Sequence, residues 1–465
     1  MSEGYDVIVV GAGPAGGEAA LAAASAGLRV ALVDEGPAPG GQVWRAPRTA
    51  QARAAAQTDA DGRQGAALRA RLQAASVDLL TGAEVWDAQP GFTLHCLTPE
   101  GNRPLSAPRV ILATGAMERV LPFPGWTTPG VFGLAAATAL LKSEHALPGR
   151  EIVIAGQGPL LIAVAAKALA LGLRPRAVVD RASRGDWLRA AAGFAAVPSM
   201  LARGAQWMAR LSAARVPILR QSAVIAATGD PQLAAVTVRH LPSGRVQEIA
   251  ADTLYLGNGL TPADELHRLL GAAQTRDALR GGYRTLVDAD RRTSVAGLYA
   301  AGDGAGVHGA LPSVLQGRIA GLAAARDHGA LSAAEVAKQT APARHELVRA
   351  LRFADASCRL MAFPEAALAE VPPDAVVCRC EDVCRSEIDA AVARGAGDLN
   401  QLKHFTRLGM GPCQGRMCGL NAARLMHPEA DLRLTPRAPV RPVSMDRLIG
   451  EFDYSDIPVP KPAPL

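Results

Sequence analysis

The chain has 465 residues, of which 49% are hydrophobic and 20% are charged, and its formal net charge is +6. This length and composition predict a globular protein of about two to four domains and exclude a disordered or fibrous chain. The basic residues are scattered, without long runs or interleaved aromatic side chains, so we expect no nucleic-acid partner. The N-terminus shows no secretory signal and the cysteines form no spaced disulfide framework, which predicts a cytoplasmic location.

A glycine-rich turn follows the first predicted strand. Residues 5–10 form a short apolar run typical of a buried parallel strand, and a helix is predicted from Pro14 to about residue 26. Between them, Gly11 permits a tight turn and Gly13 lets the backbone approach a pyrophosphate, while Gly16 lets the helix pack on the strand. This order of elements predicts a dinucleotide site.

The second predicted strand, residues 28–33, ends in two acidic residues. Asp34 is placed to accept hydrogen bonds from a ribose hydroxyl, and Glu35 is the alternative. The motif alone does not distinguish FAD from NAD.

Two later segments favour FAD. Residues 110–115 form an apolar run that ends in Ala113, Thr114 and Gly115, and residues 297–303 form another that ends in Gly302 and Asp303 before a helix predicted near residue 311. An aspartate there can hold a ribityl hydroxyl while the helix N-terminus faces the flavin or its phosphate.

These pieces together resemble the glutathione-reductase-like FAD superfamily over residues 4–330. The resemblance implies bound FAD and a discontinuous FAD-binding domain at residues 1–120 and 285–330. The predicted FAD-binding residues are Gly11, Gly13, Pro14, Ala15, Gly16, Asp34, Glu35, Gly41, Gln42, Arg45, Val85, Ala113, Thr114, Gly115, Gly302 and Asp303.

A second, altered glycine motif lies in residues 121–284, the domain that binds NAD(P)H in this superfamily. The most apolar stretch, residues 152–173, is interrupted by glycines, Pro159 and Lys167, so it predicts a strand, a turn and a helix and no transmembrane segment. Leu161 replaces the third glycine of the motif. Two alternatives stay open, a purely structural site or one that holds an adenine nucleotide, and reduction by NAD(P)H ranks behind both.

Disulfide-reductase chemistry is not expected. Enzymes of this fold that reduce disulfides contain a redox cysteine pair in one of the two dinucleotide domains, and this chain has no cysteine between residues 97 and 357.

Two tight cysteine pairs lie near the C-terminus, Cys378 with Cys380 and Cys413 with Cys418. Four thiolates brought together by one intervening loop are typical of an iron–sulfur cluster. Zinc is the nearest alternative, although a pair separated by one residue is less usual there, and unligated thiols are the third. Cys384 is a fifth thiol in the region and an alternative ligand.

The cysteines lie in a small, separate helical module, predicted at residues 372–430 after a helical and linker segment at 331–371. Ser386 and Asp389 have the spacing of a capping box, and a second helix is predicted at about 399–405. Glycines then lead into the second cysteine pair, where backbone N–H groups can face cluster sulfurs.

Residues 377–383 and 406–418 resemble the bacterioferritin-associated-ferredoxin-like [2Fe–2S] module. Residues 34–42 and 156–161 resemble the large FAD subunit of heteromeric amine and amino-acid dehydrogenases, the group of opine oxidases, D-hydroxyproline and proline dehydrogenases and hydrogen cyanide synthase. The predicted fold class is therefore α/β, with glutathione-reductase-like tandem dinucleotide domains, a mostly helical [2Fe–2S] module and a tail at 431–465.

The resemblance implies that this chain is one subunit of a larger complex in which different subunits carry out substrate oxidation and electron transfer. Amine oxidation falls to a substrate-oxidising flavoprotein partner of the D-amino-acid-oxidase type. A further flavin at the interface between subunits is expected as well, together with a small ferredoxin-like subunit. This chain would pass electrons to an acceptor, through which it could associate with a membrane, and no catalytic acid or base is assigned. The alternatives are a self-sufficient NAD(P)H-dependent Fe–S flavoprotein reductase, an iron-handling scaffold and a hydrogen cyanide synthase subunit.

Overall fold

The computed structural model of the protein describes residues 3–448. Residues 1–2 and 449–465, the latter being part of the predicted tail, lie outside the described residues. The strands are Glu3–Gly4 (β1), Val7–Val10 (β2), Val30–Asp34 (β3), Val77–Thr81 (β4), Glu84–Gln89 (β5), Thr93–Thr98 (β6), Gly101–Ser106 (β7), Val110–Leu112 (β8), Ala116–Glu118 (β9), Val131–Gly133 (β10), Ile152–Gly156 (β11), Ala177–Asp180 (β12), Ile218–Arg220 (β13), Ser222–Thr228 (β14), Ala235–His240 (β15), Val246–Ala250 (β16), Thr253–Gly257 (β17), Leu260–Pro262 (β18), Gln274–Asp277 (β19), Gly282–Thr285 (β20), Leu298–Ala300 (β21), Val376–Cys378 (β22) and Val383–Cys384 (β23).

The helices are Pro14–Ser25 (α1), Ala50–Thr58 (α2), Ala60–Ala74 (α3), Leu134–Ser143 (α4), Pro159–Ala170 (α5), Arg184–Phe194 (α6), Pro198–Ala213 (α7), Glu265–Leu269 (α8), Ala310–His328 (α9), Ala333–Met361 (α10), Arg385–Ala393 (α11), Leu399–Thr406 (α12), Gly419–Met426 (α13) and Met445–Leu448 (α14). Short 3₁₀ helices lie at Ala278–Arg280, Gly302–Ala305 and Glu365–Glu370.

The first domain is built on a five-stranded parallel sheet in the order β21-β8-β2-β3-β4. Its central strands are almost completely buried, as their continuous apolar sequences predict. Helices α1 and α9 pack closely on one face, because Gly317 and Gly321 of α9 lie against the α1 backbone, where a Cβ atom would approach the carbonyl oxygens of Ala15 and Ala19 to 1.9 and 2.3 Å. The predicted strand, turn and helix at residues 5–26 are confirmed.

The second domain repeats this plan with a parallel sheet in the order β10-β17-β11-β12-β13. Strands β14, β15 and β16 form an antiparallel meander beside it. Strands β9 and β18, one from each crossing between the domains, pair with each other. The two tandem α/β domains of the predicted fold class are therefore present.

The return to the first domain occurs earlier than the predicted boundary at residue 285. Leu266, Leu270 and Ala272 already pack in the first domain's core with Val85 and Leu94. The reason is that β18 completes the second crossing, so the chain after Pro262 lies against the first domain.

The C-terminal module is mostly helical and has its own small core. Helix α10, a continuous helix of 29 residues within the predicted helical and linker segment at 331–371, leads into it from the body. The predicted capping box of Ser386 and Asp389 is wrong. Helix α11 begins two residues earlier, because Cys384 has extended backbone angles and its N–H donates to the Glu387 carboxylate at 2.8 Å.

Candidate functional site

The predicted FAD-binding residues lie at the carboxyl edge of the first parallel sheet. Because β21, β8, β2 and β3 are adjacent and parallel, the loops after these strands are neighbours. A Cβ atom on Gly11 would lie 2.4 Å from the Ala113 carbonyl oxygen, and one on Gly304 would lie 2.3 Å from Thr114 Oγ1. The structure thus brings together segments that lie far apart in the chain.

The first glycine turn has the geometry of a phosphate cradle. Gly11 has φ +98°, which other residues rarely adopt, and Gly16 lies so close to the turn that a Cβ atom would come within 1.7 Å of the Gly11 carbonyl oxygen. At Gly13 the nearest atom to such a Cβ is Gly41 Cα at 3.8 Å. Gly13 therefore borders open space, and helix α1 begins there with Pro14 and Ala15.

A second glycine loop, Gly40 and Gly41, lies across from this turn. Both glycines have positive φ, and the N–H of Gly40 donates to the Ala12 carbonyl at 2.8 Å. Arg45 donates to the Gln42 side chain, while the buried Nε of Arg45 has no hydrogen-bond partner among the described residues. A buried guanidinium N–H that lacks a partner beside a glycine cradle fits an anionic ligand.

Asp34 lies at the end of β3 with its carboxylate turned to the glycine turn. It accepts hydrogen bonds from the N–H groups of Ala12 at 2.5 Å and Gly36 at 2.7 Å, while burial raises its pKa. Glu35 is largely exposed, and Val85 is buried on the neighbouring strand β5. This end of the cradle would hold the adenosine part of a dinucleotide, in the arrangement predicted for Asp34.

The opposite end is formed by the loops after β8 and β21. Thr114 Oγ1 donates to the Ala263 carbonyl at 2.5 Å, and the Gly115 carbonyl accepts from the Ala263 N–H at 3.0 Å. Gly302 N–H donates to the Gln316 side chain at 2.9 Å.

Asp303 orders the loop that leads into α9. Its Oδ1 accepts from the N–H groups of His308 at 2.8 Å and Gly309 at 2.7 Å, and burial raises its pKa. The residues present, from Asp34 through the two glycine loops to Asp303, therefore fit FAD.

The second glycine turn is covered by the chain itself. A Cβ atom on Gly158 would lie 2.3 Å from Cγ of Met361, the last residue of α10, and one on Gly259 would lie 2.6 Å from the Met361 carbonyl oxygen. Gln157, which is buried, donates to the Ala362 carbonyl. The end of α10 thus occupies the space where a pyrophosphate would approach α5.

The acidic residue of the second motif already has hydrogen-bond partners within the protein. Asp180 is fully buried and accepts from Trp187 Nε1 at 2.8 Å, Arg220 Nη1 at 2.7 Å and the Ala182 N–H at 3.0 Å. Leu161 is fully buried in the second core. A cavity of about 10 Å³ lies beside Gly156. With Asp180 already paired and the turn covered by Met361, the second motif favours a structural role over adenine-nucleotide binding.

The four predicted ligand cysteines converge in the C-terminal module. Cys418 hydrogen-bonds to Cys378 and Cys413 and lowers their pKa to about 6 and about 5. Cys380 contacts Cys413 as well, and its side chain is the exposed one of the four. The described residues contain no set of three or more His, Cys, Asp or Glu side chains arranged around a single ion position.

Backbone N–H groups surround these sulfurs. Those of Gly409, Glu381 and Cys380 hydrogen-bond to Cys378. Those of Met417 and Gly415 hydrogen-bond to Cys413. N–H groups aimed at thiolates stabilise their negative charge, so the donor set fits a [2Fe–2S] cluster.

Cys384 is separate from the four. It is the N-cap residue of α11, and its Sγ lies 3.8 Å from the Asp382 carbonyl oxygen. Burial and the nearby acidic residues Glu387, Asp374 and Asp382 raise its pKa. Its position is that of a structural thiol.

The module is held against the hinge between the two domains. Trp126 Nε1 donates to the Val376 carbonyl at 2.6 Å, and Asn421 Nδ2 donates to the Val120 carbonyl at 2.7 Å. The buried Arg119 donates to Asn421 at 3.1 Å and lies over the Phe363 ring at 3.5 Å. The cysteines therefore have a defined position relative to the flavin cradle.

Sequence reasoning missed two groups of residues at these sites. One is Met361 and Ala362, which close the second turn, and the other is the segment up to Arg441, which lies along the first domain. Neither has a local motif, because both act through contacts that are distant in the chain. The pair of glycines at 40 and 41 is the signal that could have indicated the second loop of the cradle.

A large cavity of about 850 Å³ lies between the cysteine module and the first domain. Its lining includes Lys403, His404, Met117, Arg268 and Arg433.

Within residues 3–448 there is no helix whose length and apolar character would let it cross a membrane.

Comparison with known proteins places the chain in a family. Residues 5–329 match the model described as pyridine nucleotide-disulphide oxidoreductase, and residues 376–427 match the BFD-like [2Fe-2S] binding domain. The opine oxidase A subunit of Rhizobium meliloti (strain 1021) is 34% identical over 95% of this chain and 97% of its own length. Hydrogen cyanide synthase subunit HcnB of Pseudomonas aeruginosa is 31% identical over 94% of this chain and 96% of its own.

Solved structures give the same fold. L-proline dehydrogenase from P. horikoshii superimposes with a TM-score of 0.70 at 20% identity, over 97% of this chain and 80% of that chain. The family resemblance predicted from the sequence is therefore confirmed. The chain is an FAD- and [2Fe–2S]-containing oxidoreductase that belongs to the pyridine nucleotide-disulphide oxidoreductase family and ends in a BFD-like [2Fe-2S] binding domain.

Proposed function

We propose that this chain is the electron-transferring subunit of a heteromeric amine or amino-acid dehydrogenase, of the opine oxidase type. The observation that carries this proposal is the combination in one chain of a flavin cradle, a converged set of four cysteines and a closed second nucleotide site. When bound, FAD accepts electrons in pairs and the [2Fe–2S] cluster transfers them singly.

The closed nucleotide site supports an electron donor other than NAD(P)H. Met361 and Ala362 cover the turn that would bind the pyrophosphate, and the Asp180 carboxylate is already bound to Trp187 and Arg220. A self-sufficient NAD(P)H-dependent reductase would need this turn to be open for the pyrophosphate and the Asp180 carboxylate to be free for the ribose. The donor is then another polypeptide, a substrate-oxidising flavoprotein, in line with the word subunit in the relatives' names.

The roles of the residues follow from their positions. The two glycine loops and the N-terminus of α1 hold the pyrophosphate, Asp34 holds the adenosine ribose, and Asp303 orders the loop at the flavin end. Cys378, Cys380, Cys413 and Cys418 hold the cluster, and the exposed position of Cys380 marks the side on which an acceptor can approach.

The cavity between the module and the first domain is the candidate place for the further flavin at the interface between subunits. Its volume of about 850 Å³ can accommodate a ligand of that size, and Lys403 and His404 supply groups suited to a phosphate. A partner subunit would cover its open side. The small ferredoxin-like subunit remains a prediction as well.

A hydrogen cyanide synthase subunit is the second candidate. Its support is the HcnB subunit of Pseudomonas protegens (strain DSM 19095 / LMG 27888 / CFBP 6595 / CHA0), which is 33% identical over 88% of this chain. The two candidates differ in substrate, and the residues that select the substrate are expected on the partner.

The test is a substrate screen with an artificial electron acceptor. The chain is co-expressed with a candidate substrate-oxidising flavoprotein subunit, and the purified complex is mixed anaerobically with opines, proline, D-hydroxyproline, glycine and NADH in turn. We expect dye reduction with one amine substrate and only in the presence of both subunits. Dye reduction by the isolated chain with NADH would contradict the proposal, and release of cyanide during turnover would favour the second candidate.

A further inference from the structure

The C-terminal segment 432–441, here called the tail segment, connects the two cofactor sites. It begins after the last helix of the cysteine module and ends on the outer face of the first domain. One side of it contacts the loop of Cys413, and the other contacts the strands beside the adenosine end of the flavin cradle.

The contacts with the cysteine loop are close. Leu434 lies on Gly409 and Gly415, which flank Cys413, because a Cβ atom on Gly415 would meet Leu434 Cδ1 at 2.2 Å and one on Gly409 would meet it at 3.3 Å. Gln414 Nε2 donates to the Pro439 carbonyl at 2.9 Å. The tail segment therefore forms one wall of the cluster loop.

Arg416 joins three parts of the molecule. Its side chain is only 6% exposed, and Nε donates to Glu265 of the first domain at 3.0 Å. The same guanidinium donates to the Cys413 carbonyl at 3.5 Å and to the Val440 carbonyl of the tail segment. A buried arginine with these partners fixes the cluster loop, the tail segment and the first domain relative to one another.

The other end of the tail segment contacts the flavin cradle. Val440 is buried in the first domain's core, and its N–H donates to the Trp86 carbonyl at 2.8 Å. Arg441 lies 3.5 Å from the Glu35 carboxylate and 3.4 Å from that of Glu84. These acids adjoin the adenosine end of the cradle. Arg441 thus neutralises two carboxylates that would repel each other beside the cofactor.

We propose that the tail segment couples the two cofactor sites, so that cluster assembly strengthens FAD binding and bound FAD stabilises the cluster. Arg416 and Arg441 are positioning residues in this device. The inference rests on the proposed function, because it assumes FAD in the first cradle and a cluster on the four cysteines. Linkage requires the effect to be reciprocal, with one factor for both cofactors.

The test measures both directions on the full chain. The FAD dissociation constant is determined by flavin fluorescence with the cluster intact and after Cys413→Ala removes it. The rate of cluster loss to a chelator is determined from cluster absorbance, with and without FAD. We expect loss of the cluster to weaken FAD binding about fivefold or more, and removal of FAD to accelerate cluster loss.

Arg441→Gln is the variant that tests whether the coupling passes through the tail segment. It should still bind both cofactors, but the coupling factor should fall to about one, since the adenosine end is released from the tail segment. Arg447→Gln is the matched control, because Arg447 follows the tail segment and donates to the Pro99 carbonyl at 3.0 Å, away from both sites. It should retain the coupling.

Equal FAD affinity with and without the cluster would overturn the inference, and so would full coupling in Arg441→Gln. In either case electron transfer from the partner subunit would still be measurable, so the proposed function would stand. A chain that binds neither cofactor would instead contradict the proposed function itself.

Discussion

At the scale of single residues, an added side chain at Gly13 should affect FAD binding without affecting the fold. A Cβ atom there would meet protein no closer than 3.8 Å, and its φ of −71° suits alanine. Gly13→Ala should therefore weaken FAD binding at least about tenfold by filling the pyrophosphate space, while the unfolding free energy of the flavin-free chain changes by less than about 1 kcal/mol.

The control is Gly204→Ala, within α7, where no atom lies within 4 Å of an added Cβ. That variant should keep the FAD affinity and stabilise the chain by up to about 1 kcal/mol. Unchanged FAD affinity in Gly13→Ala, measured by flavin fluorescence, would remove the assigned site.

Glu118 predicts a pH dependence of stability. It is the last residue of β9 and is partly buried, with its carboxylate at the N-terminus of α4, where it accepts from the Ala135 N–H at 3.0 Å, and this burial raises its pKa to about 7. Because the folded chain retains this proton longer than the unfolded chain, the stability it contributes is greatest below pH 4.5 and is lost as the pH rises through 7.

Between pH 5 and pH 8 the unfolding free energy of Glu118→Gln should therefore fall less than that of the parent chain, by up to about 3 kcal/mol. Urea titrations at both pH values measure it. An identical fall in the variant and the parent chain would show that Glu118 is not the group responsible.

At the scale of elements, two neighbouring thiols have different roles, because Cys413 lies in the cysteine loop and Cys384 lies at the start of helix α11. Cys413 contacts Cys380 and Cys418, whereas Cys384 caps α11. Cys413→Ala should abolish the EPR signal of the reduced cluster while FAD still binds, with the lower affinity expected from loss of the cluster. Cys384→Ala should keep that signal and change the unfolding free energy by less than about 1 kcal/mol, because the backbone N–H of residue 384 still donates to Glu387. Loss of the signal in Cys384→Ala with its survival in Cys413→Ala would reverse the assignment.

The elements that could be predicted from the sequence are those with a local pattern. The strand, glycine turn and helix at residues 5–26 follow from apolar periodicity and from glycines with fixed tasks, and the four cysteines follow from their spacing. The N-cap of α11 could not be placed correctly, because Ser386 and Cys384 both precede an acidic residue by three positions.

At the scale of the whole molecule, the decisive features were not predictable from local patterns. Met361 is distant in the chain from the Gly158 turn that it covers, and Arg441 and its partner Glu35 come from opposite ends of the chain. Such contacts depend on how α10 and the tail segment cross the body. The sequence therefore left the second nucleotide site open between two alternatives, and the structure favours the structural one.

The whole chain then combines a flavin domain, a nucleotide domain that its own helix closes, and a cysteine module held against the hinge by Trp126 and Asn421. This arrangement suits a relay that receives electrons from a protein partner and not from a soluble nicotinamide nucleotide.

The most direct measurement is low-temperature EPR of the anaerobic complex after rapid mixing with its amine substrate, beside samples mixed with NADPH or lacking the partner subunit. We expect a reduced [2Fe–2S] signal only when the amine substrate and both subunits are present. A reduced-cluster signal from the isolated chain with NADPH, or none from the complete complex with the substrate that it oxidises, would contradict this expectation.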